Sequence, residues 1–338
     1  MCKKQIILAI ILISSVCSFE GLTTELILKD DSTIVFPIQQ KTQDGKQCQF
    51  YVTPVIDYCS NAITETPAQA VQCGNTEVGS NYFADGNDYS GDFFIGEKKI
   101  NFEFTIPNRG SVFYGSNQFC FGFKYDGQVN AFTYLDHKVP KQQIFLSLPQ
   151  AGSKQNKGTI DIGDADLSKT KDNVYPFSLK SSGEAGYYSA YSSQNVQYGQ
   201  FSLFSPRIVF LNINQPFFLF SLFQIQDLLK AFTAQGIKYD YQPNKNHFIS
   251  VSSTDKLKNL EIQVVTEDSK PFIITVLPSQ YTFKLAEGIY QVLIQLATYK
   301  GAMSLSNRVL ETYYLGVDFS TKQILIAEKN TQQQQQQF

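Results

Sequence analysis

The stretch RIVFLNINQPFFLFSLF, residues 207–223, holds a polar knot, Asn212-Ile213-Asn214-Gln215-Pro216, inside an almost unbroken apolar run. A desolvated amide without a partner costs about 1–3 kcal/mol, so such a knot needs water or other polar groups within reach. Its amides donate and accept hydrogen bonds but carry no titrating proton at working pH. Other chemistries find little support. His137 and His247 are the only histidines, and no Cys-x-x-Cys, His-x-x-x-His or Gly-x-Ser-x-Gly spacing occurs. Gly158-Thr-Ile-Asp-Ile-Gly163 lacks the Lys-Ser/Thr and helix of a phosphate loop. Neither a metal nor a cofactor is expected.

The elements around the knot read as mainly β. The 338 residues are 43% hydrophobic and 17% charged, enough for two domains or one large bilobed unit. Alternating segments such as ELILKDDSTIVFPI, punctuated by Gly, Ser and Asn, predict many short strands. One clear helix follows the knot. Ile225, Leu228, Leu229 and Phe232 share a face, and Gly236 stands ready to end it. A net charge of −2 leaves no basic excess for a nucleic acid. The polar residues of 207–223 argue against a membrane span.

Lys3, Lys4, the apolar Ile6–Ile13 and small residues near Ser18 make residues 1–18 a signal peptide. Its removal takes away Cys2 and Cys17 and shifts the net charge to −4. Cys48, Cys59, Cys73 and Cys120 then remain, an even set for disulfides with three pairings open. A secreted or secretory/endolysosomal location follows. A Ser/Tyr/Gln-rich hinge near 187–200 divides residues 19–195 from 196–329, and 330–338 is a disordered polyglutamine tail.

Four segments in order resemble the pepsin-like aspartic peptidases, peptidase family A1. FADGNDYSGDFFIG (83–96) resembles the flap hairpin, and KGTIDIGDADLSK (157–169) the Gly-Gly-x-Leu-x-Leu-Gly-Gly-x-Asp turn. LNINQPFFLFSLFQIQDLLKAF (211–232) resembles the second catalytic loop and its helix. SLSNRVLETYYLGVDFSTKQILIAE (304–328) is similar to the C-terminal signature, and IFLSLP (144–149) stands at the Phe-Ser-x-Tyr-Leu strand. The resemblance implies a mainly β, bilobed pepsin-like double β-barrel with few short helices. Each lobe would contribute one catalytic loop, beneath a flap with Phe83, Asp85 and Gly86.

On that resemblance Asn212 stands where the family has its second aspartate, and Ile213 and Asn214 replace the Ser/Thr and Gly after it. The first loop falls in QFYVTPVIDYCSN (49–61). Asp57 fits the first aspartate, with Tyr58 and Cys59 in place of Thr-Gly and Ser60 kept; the alternative fit puts Val55 there. The reaction needs two carboxylates sharing one proton. At most one is present, Phe83 lacks the flap tyrosine's hydroxyl, and Asp85, Asp126 and Asp161 lie in motifs that are not catalytic. The resemblance further implies Cys59–Cys73 and Cys48–Cys120 disulfides. The expectation is a monomeric, secreted pseudopeptidase that binds an extended peptide or protein. The competing readings are an active aspartic endopeptidase with a divergent site and a structural secreted protein.

Overall fold

The computed structural model describes residues 21–29, 33–41, 45, 47–56, 62–63, 67–81, 86–108, 117–121, 131–135, 139–150, 157–178, 189–206, 208–245, 247–297, 302–321 and 323–330. The expected signal peptide lies outside them, as does the expected glutamine tail beyond Asn330. So do Asp57, Tyr58, Cys59, Ser60, Phe83 and Asp85.

Three sheets make up most of the described chain. The largest has twelve strands, and six of these join the two halves. They run in the order Tyr175–Ser178, Gln323–Glu328, Tyr313–Asp318, Gln143–Ser147, Lys157–Ile162, Leu22–Leu28. The seam is antiparallel, with Leu315 opposite Leu146 and Gly316 opposite Phe145. Tyr313–Asp318 is buried throughout and apolar except at its end, as a strand covered on both faces must be. Gly316 is required there: an added Cβ would lie 2.4 Å from the Phe145 ring and 2.6 Å from the Ile144 carbonyl oxygen.

Beyond the seam the first half continues through Ile34–Lys41 and Gln47–Val55 to Gln118–Cys120. The long hairpin Gly86–Ile95/Lys98–Pro107 attaches through Gln39 and Gln40. Phe36, Phe93, Phe102, Phe119 and Phe121 fill the core between these strands, with several rings at 4.8–6.1 Å in edge and stacked contacts. The second half forms an eight-stranded sheet and a four-stranded sheet. Strand Ser189–Tyr198 runs through position 195 and pairs with second-half strands. Among the described residues no helix is long and apolar enough to cross a membrane.

The disulfide expectation needs correction. Cys48 is bonded to Cys73, with Cα atoms 6.0 Å apart, so neither Cys59–Cys73 nor Cys48–Cys120 forms. Cys120 is disulfide-bonded too. The reason lies in the turn after the short helix Pro67–Gln72, which is held to the Ile34–Lys41/Gln47–Val55 hairpin. Cys48 lies opposite Gln40 in that hairpin. Gln40 and Asn75, two residues beyond Cys73, exchange a buried pair of amide hydrogen bonds of 2.7 and 2.9 Å. The amide pair and the disulfide fasten the same two pieces.

Candidate functional site

The second expected loop lies at the end of a parallel strand pair. Ile208–Leu211 pairs in parallel with Ala302–Leu305, and the Asn212 N–H continues the ladder to the Leu305 carbonyl at 3.2 Å. The chain then turns. The Asn212 side-chain oxygen accepts from the Asn214 N–H at 3.1 Å, closing a local Asx turn. Ile213 points into the core, fully buried, while Asn212, Asn214 and Gln215 are half-buried. The Gln215 carbonyl accepts from the Asn307 N–H at 3.0 Å, so the loop is tied at both ends. Asn214 Oδ1 and Gln215 Nε2 are buried without a hydrogen-bond partner among the described residues. The polar knot thus holds one acceptor and one donor that the neighbouring chain leaves unused.

The helix after the loop spans Leu222–Ala234, as the spacing predicts. Ser221 and Gln224 form a reciprocal capping box, which satisfies N–H groups at its start. Ile225, Leu228 and Phe232 are buried. Gly236 takes φ 64°, and Ile237 N–H bonds back to the Phe232 carbonyl at 2.9 Å.

The first half repeats the arrangement. Gln47–Val55 pairs in parallel with Gln118–Cys120, and the Phe121 N–H donates to the Val55 carbonyl at 2.9 Å. Ala62 bridges Gln118 antiparallel, as Leu219 bridges Ser304 in the second half. Ala62 lies as far beyond Val55 as Leu219 lies beyond Asn212. A gapless superposition of the two loops therefore sets Val55 against Asn212, whereas setting Asp57 there requires a shorter first loop. Both alternatives read from the sequence stay open, and neither supplies two carboxylates.

The flap-like hairpin has reasons of its own for its glycines. A Cβ on Gly86 would lie 2.2 Å from the Ile106 carbonyl oxygen. One on Gly91 would lie 1.9 Å from Asn75 Oδ1 and 2.6 Å from Gln40 Nε2, inside the buried amide pair. Gly91→Ala is expected to cost about 2–3 kcal/mol by splitting that pair. In urea unfolding the added cost should shrink when Asn75→Ala is already present, because the obstacle is gone.

Asp161, the acid of the GTIDIG segment, is fully buried. It accepts from Thr23 Oγ1 at 2.5 Å, from Lys169 Nζ at 2.5 and 2.7 Å, and from the Tyr314 hydroxyl at 2.7 Å. Burial, with the Asp161 charge beside it, pushes the Tyr314 hydroxyl well above its ordinary range. Tyr314 stacks on Phe145 at 4.9 Å, so this carboxylate binds the two halves together. Periodicity did not reveal it, because an acid between two isoleucines reads as a solvent-facing position. Among the described residues no group of three or more His, Cys, Asp or Glu is placed to hold a metal ion.

No protein-family model and no curated protein matches the chain. Among solved structures it is similar to the crystal structure of aspartic proteinase from Irpex lacteus. The TM-score is 0.65 at 13% identity, over 92% of this chain and 98% of that one. A likeness at that identity speaks for the fold alone. The chain has the mainly β, bilobed fold of the aspartic proteinases.

Proposed function

We propose that this is a secreted or lumenal protein of the pepsin-like family that has lost its catalytic dyad and binds an extended peptide between its lobes. Asn212 carries the reading. It occupies the loop after the parallel strand pair of the second half, with a neutral amide where the chemistry needs a titrating carboxyl. Asp57, followed by Tyr58, Cys59 and Ser60, stands at the first position, or Val55 does on the alternative fit. Residues 1–18 are removed on export, and the two lobes divide at the strand Ser189–Tyr198, which spans the expected boundary at 195. A disulfide between Cys48 and Cys73 accords with an oxidising compartment.

The retained Gly86 and Gly91 do not argue for a ligand, since packing accounts for both. The support comes from the half-buried amide side chains of Asn212, Asn214 and Gln215, grouped at the end of the parallel strand pair. A peptide backbone offers the complementary donor and acceptor, and hydrogen bonds of this kind carry much of the affinity for extended peptides. Ordering a flexible ligand opposes binding, so affinity in the micromolar range is expected, on the order of −8 kcal/mol.

The test is a screen of unstructured peptides against the wild-type protein and Asn214→Arg, the variant first checked for an unchanged circular dichroism spectrum. Capture by the wild type and at least tenfold weaker capture by the variant are expected. Equal capture by both, or none by either, would remove this loop from the binding site and favour a structural role.

A further inference from the structure

The short helix Asn307–Glu311 follows the parallel strand Ala302–Leu305 and leads into the seam strand Tyr313–Asp318. Glu311 is 3% exposed. Its Oε1 lies 2.6 Å from Arg308 Nε, and its Oε2 is buried with no hydrogen-bond partner among the described residues. Lys329, 5% exposed, lies just beyond the last strand, Gln323–Glu328. Its ammonium group donates to the carbonyl oxygens of Leu148 and, at 3.1 Å, Leu310.

The backbone around Lys329 crosses onto first-half segments. Lys329 bridges Thr170, and the Asn330 N–H donates to the Lys169 carbonyl at 2.8 Å. Leu148 N–H bonds to the same Leu310 carbonyl that Lys329 reaches, at 2.9 Å. This is where the end of the described chain is fastened to the rest.

We propose that Arg308, Glu311 and Lys329 form a proton-set latch, which holds the last strand most firmly in acid and loosens as the surroundings approach neutrality. The other groups that pack against the short helix carry no charge toward Glu311. Gln280 donates to the Arg308 carbonyl and to Thr312 Oγ1 at 2.7 and 3.0 Å. Leu148, beyond the strand Gln143–Ser147, contributes backbone. On the seam strand, the Tyr313 hydroxyl is taken by the Thr275 N–H, and Asp318 by Gln143, Ser320 and Thr321.

Burial raises the Glu311 carboxyl from 4.5 to about 7, against the pull of Arg308 and Lys329. Burial lowers the Lys329 ammonium from 10.5 to about 8, against the pull of Glu311. Between pH 4.5 and 7 the folded chain therefore holds a proton on Glu311 that the unfolded chain has lost, so stability falls as pH rises through that window. Between pH 8 and 10.5 the unfolded chain holds the extra proton on Lys329, and stability rises with pH. The contribution of the cluster is lowest between the two windows. With Glu311 ionised, its second oxygen is a buried carboxylate oxygen without a donor; with Glu311 protonated, that charge is gone.

Thermal unfolding of the full chain at pH 5 and pH 7.5, for wild type and Glu311→Gln, tests this. The wild-type Tm should fall by about 3–6 °C over that interval. Glu311→Gln should remove most of the fall and lie above the wild type at pH 7.5. A variant that runs parallel to the wild type at both pH values overturns the latch. Should the variant fail to fold, amide hydrogen exchange of residues 323–330 in the wild type decides instead. After correction for intrinsic rates, protection about tenfold higher at pH 5 supports the latch, and equal protection overturns it.

Discussion

Purified protein incubated with an unfolded substrate between about pH 3 and pH 6 is expected to release no peptides. The reaction class requires one carboxylate to activate water while a second, protonated, acid serves the carbonyl oxygen. Positioned acid–base groups of this kind contribute about 10²–10⁴-fold each. Asn212 keeps the shape of an aspartate, and its side-chain oxygen already accepts the Asn214 N–H. It has no proton to exchange. Asn212→Asp is expected to stay inactive as well. If Asp57 is its counterpart, Cys59 and Asn214 still replace the glycines that let the loop backbone approach the dyad, and Phe83 still lacks a hydroxyl. If Val55 is the counterpart, there is no second carboxylate at all. Peptide release measured by mass spectrometry with and without pepstatin decides: pepstatin-sensitive cleavage by the wild type would overturn the reading of Asn212.

Asp161→Ala should lower the unfolding free energy by about 3–5 kcal/mol. The carboxylate is fully buried and takes donors from Thr23, Lys169 and Tyr314, three separate segments. Its removal leaves the Lys169 ammonium, 24% exposed, without its closest counter-charge. Total stabilities are about 5–15 kcal/mol, so this one change removes a large share. Asp161→Asn, which keeps the shape and some of the hydrogen bonds, should cost less. Urea unfolding gives the answer as a fall in midpoint with little change in slope. A midpoint shift for Asp161→Ala no larger than that of an exposed aspartate would show that the network carries no weight.

The strand-rich class, the two-half organisation and the helix after the knot were legible because each rests on local signals. Alternation marks strands, and Ser221, Gln224 and Gly236 bracket the helix residue by residue. The disulfide was not legible. Cys48 meets Cys73 only because the turn after the helix Pro67–Gln72 is held to the hairpin through Gln40 and Asn75, a contact between residues 35 positions apart. Gly91 likewise reads as part of a motif, while its cause is the amide pair beneath it. Asp161, Glu311 and Lys329 defeat pattern reading for one shared reason. Charged residues in alternating segments are assigned to water, and only tertiary packing reveals that these three are enclosed.

The seam between the halves also sets an order on folding during synthesis. Gln143 bonds to Asp318 across it, although 175 positions separate them. At synthesis rates of about 5–20 residues per second, Gln143–Ser147 waits roughly 10–35 s before its partner strand exists. Throughout that time the nascent chain presents an apolar strand edge, the kind of surface that recruits other chains. The seam therefore closes only when synthesis is nearly complete, and loss of the two closing strands, Tyr313–Asp318 and Gln323–Glu328, would leave that edge open. Premature stop codons late in the message should thus yield aggregating rather than merely shortened protein.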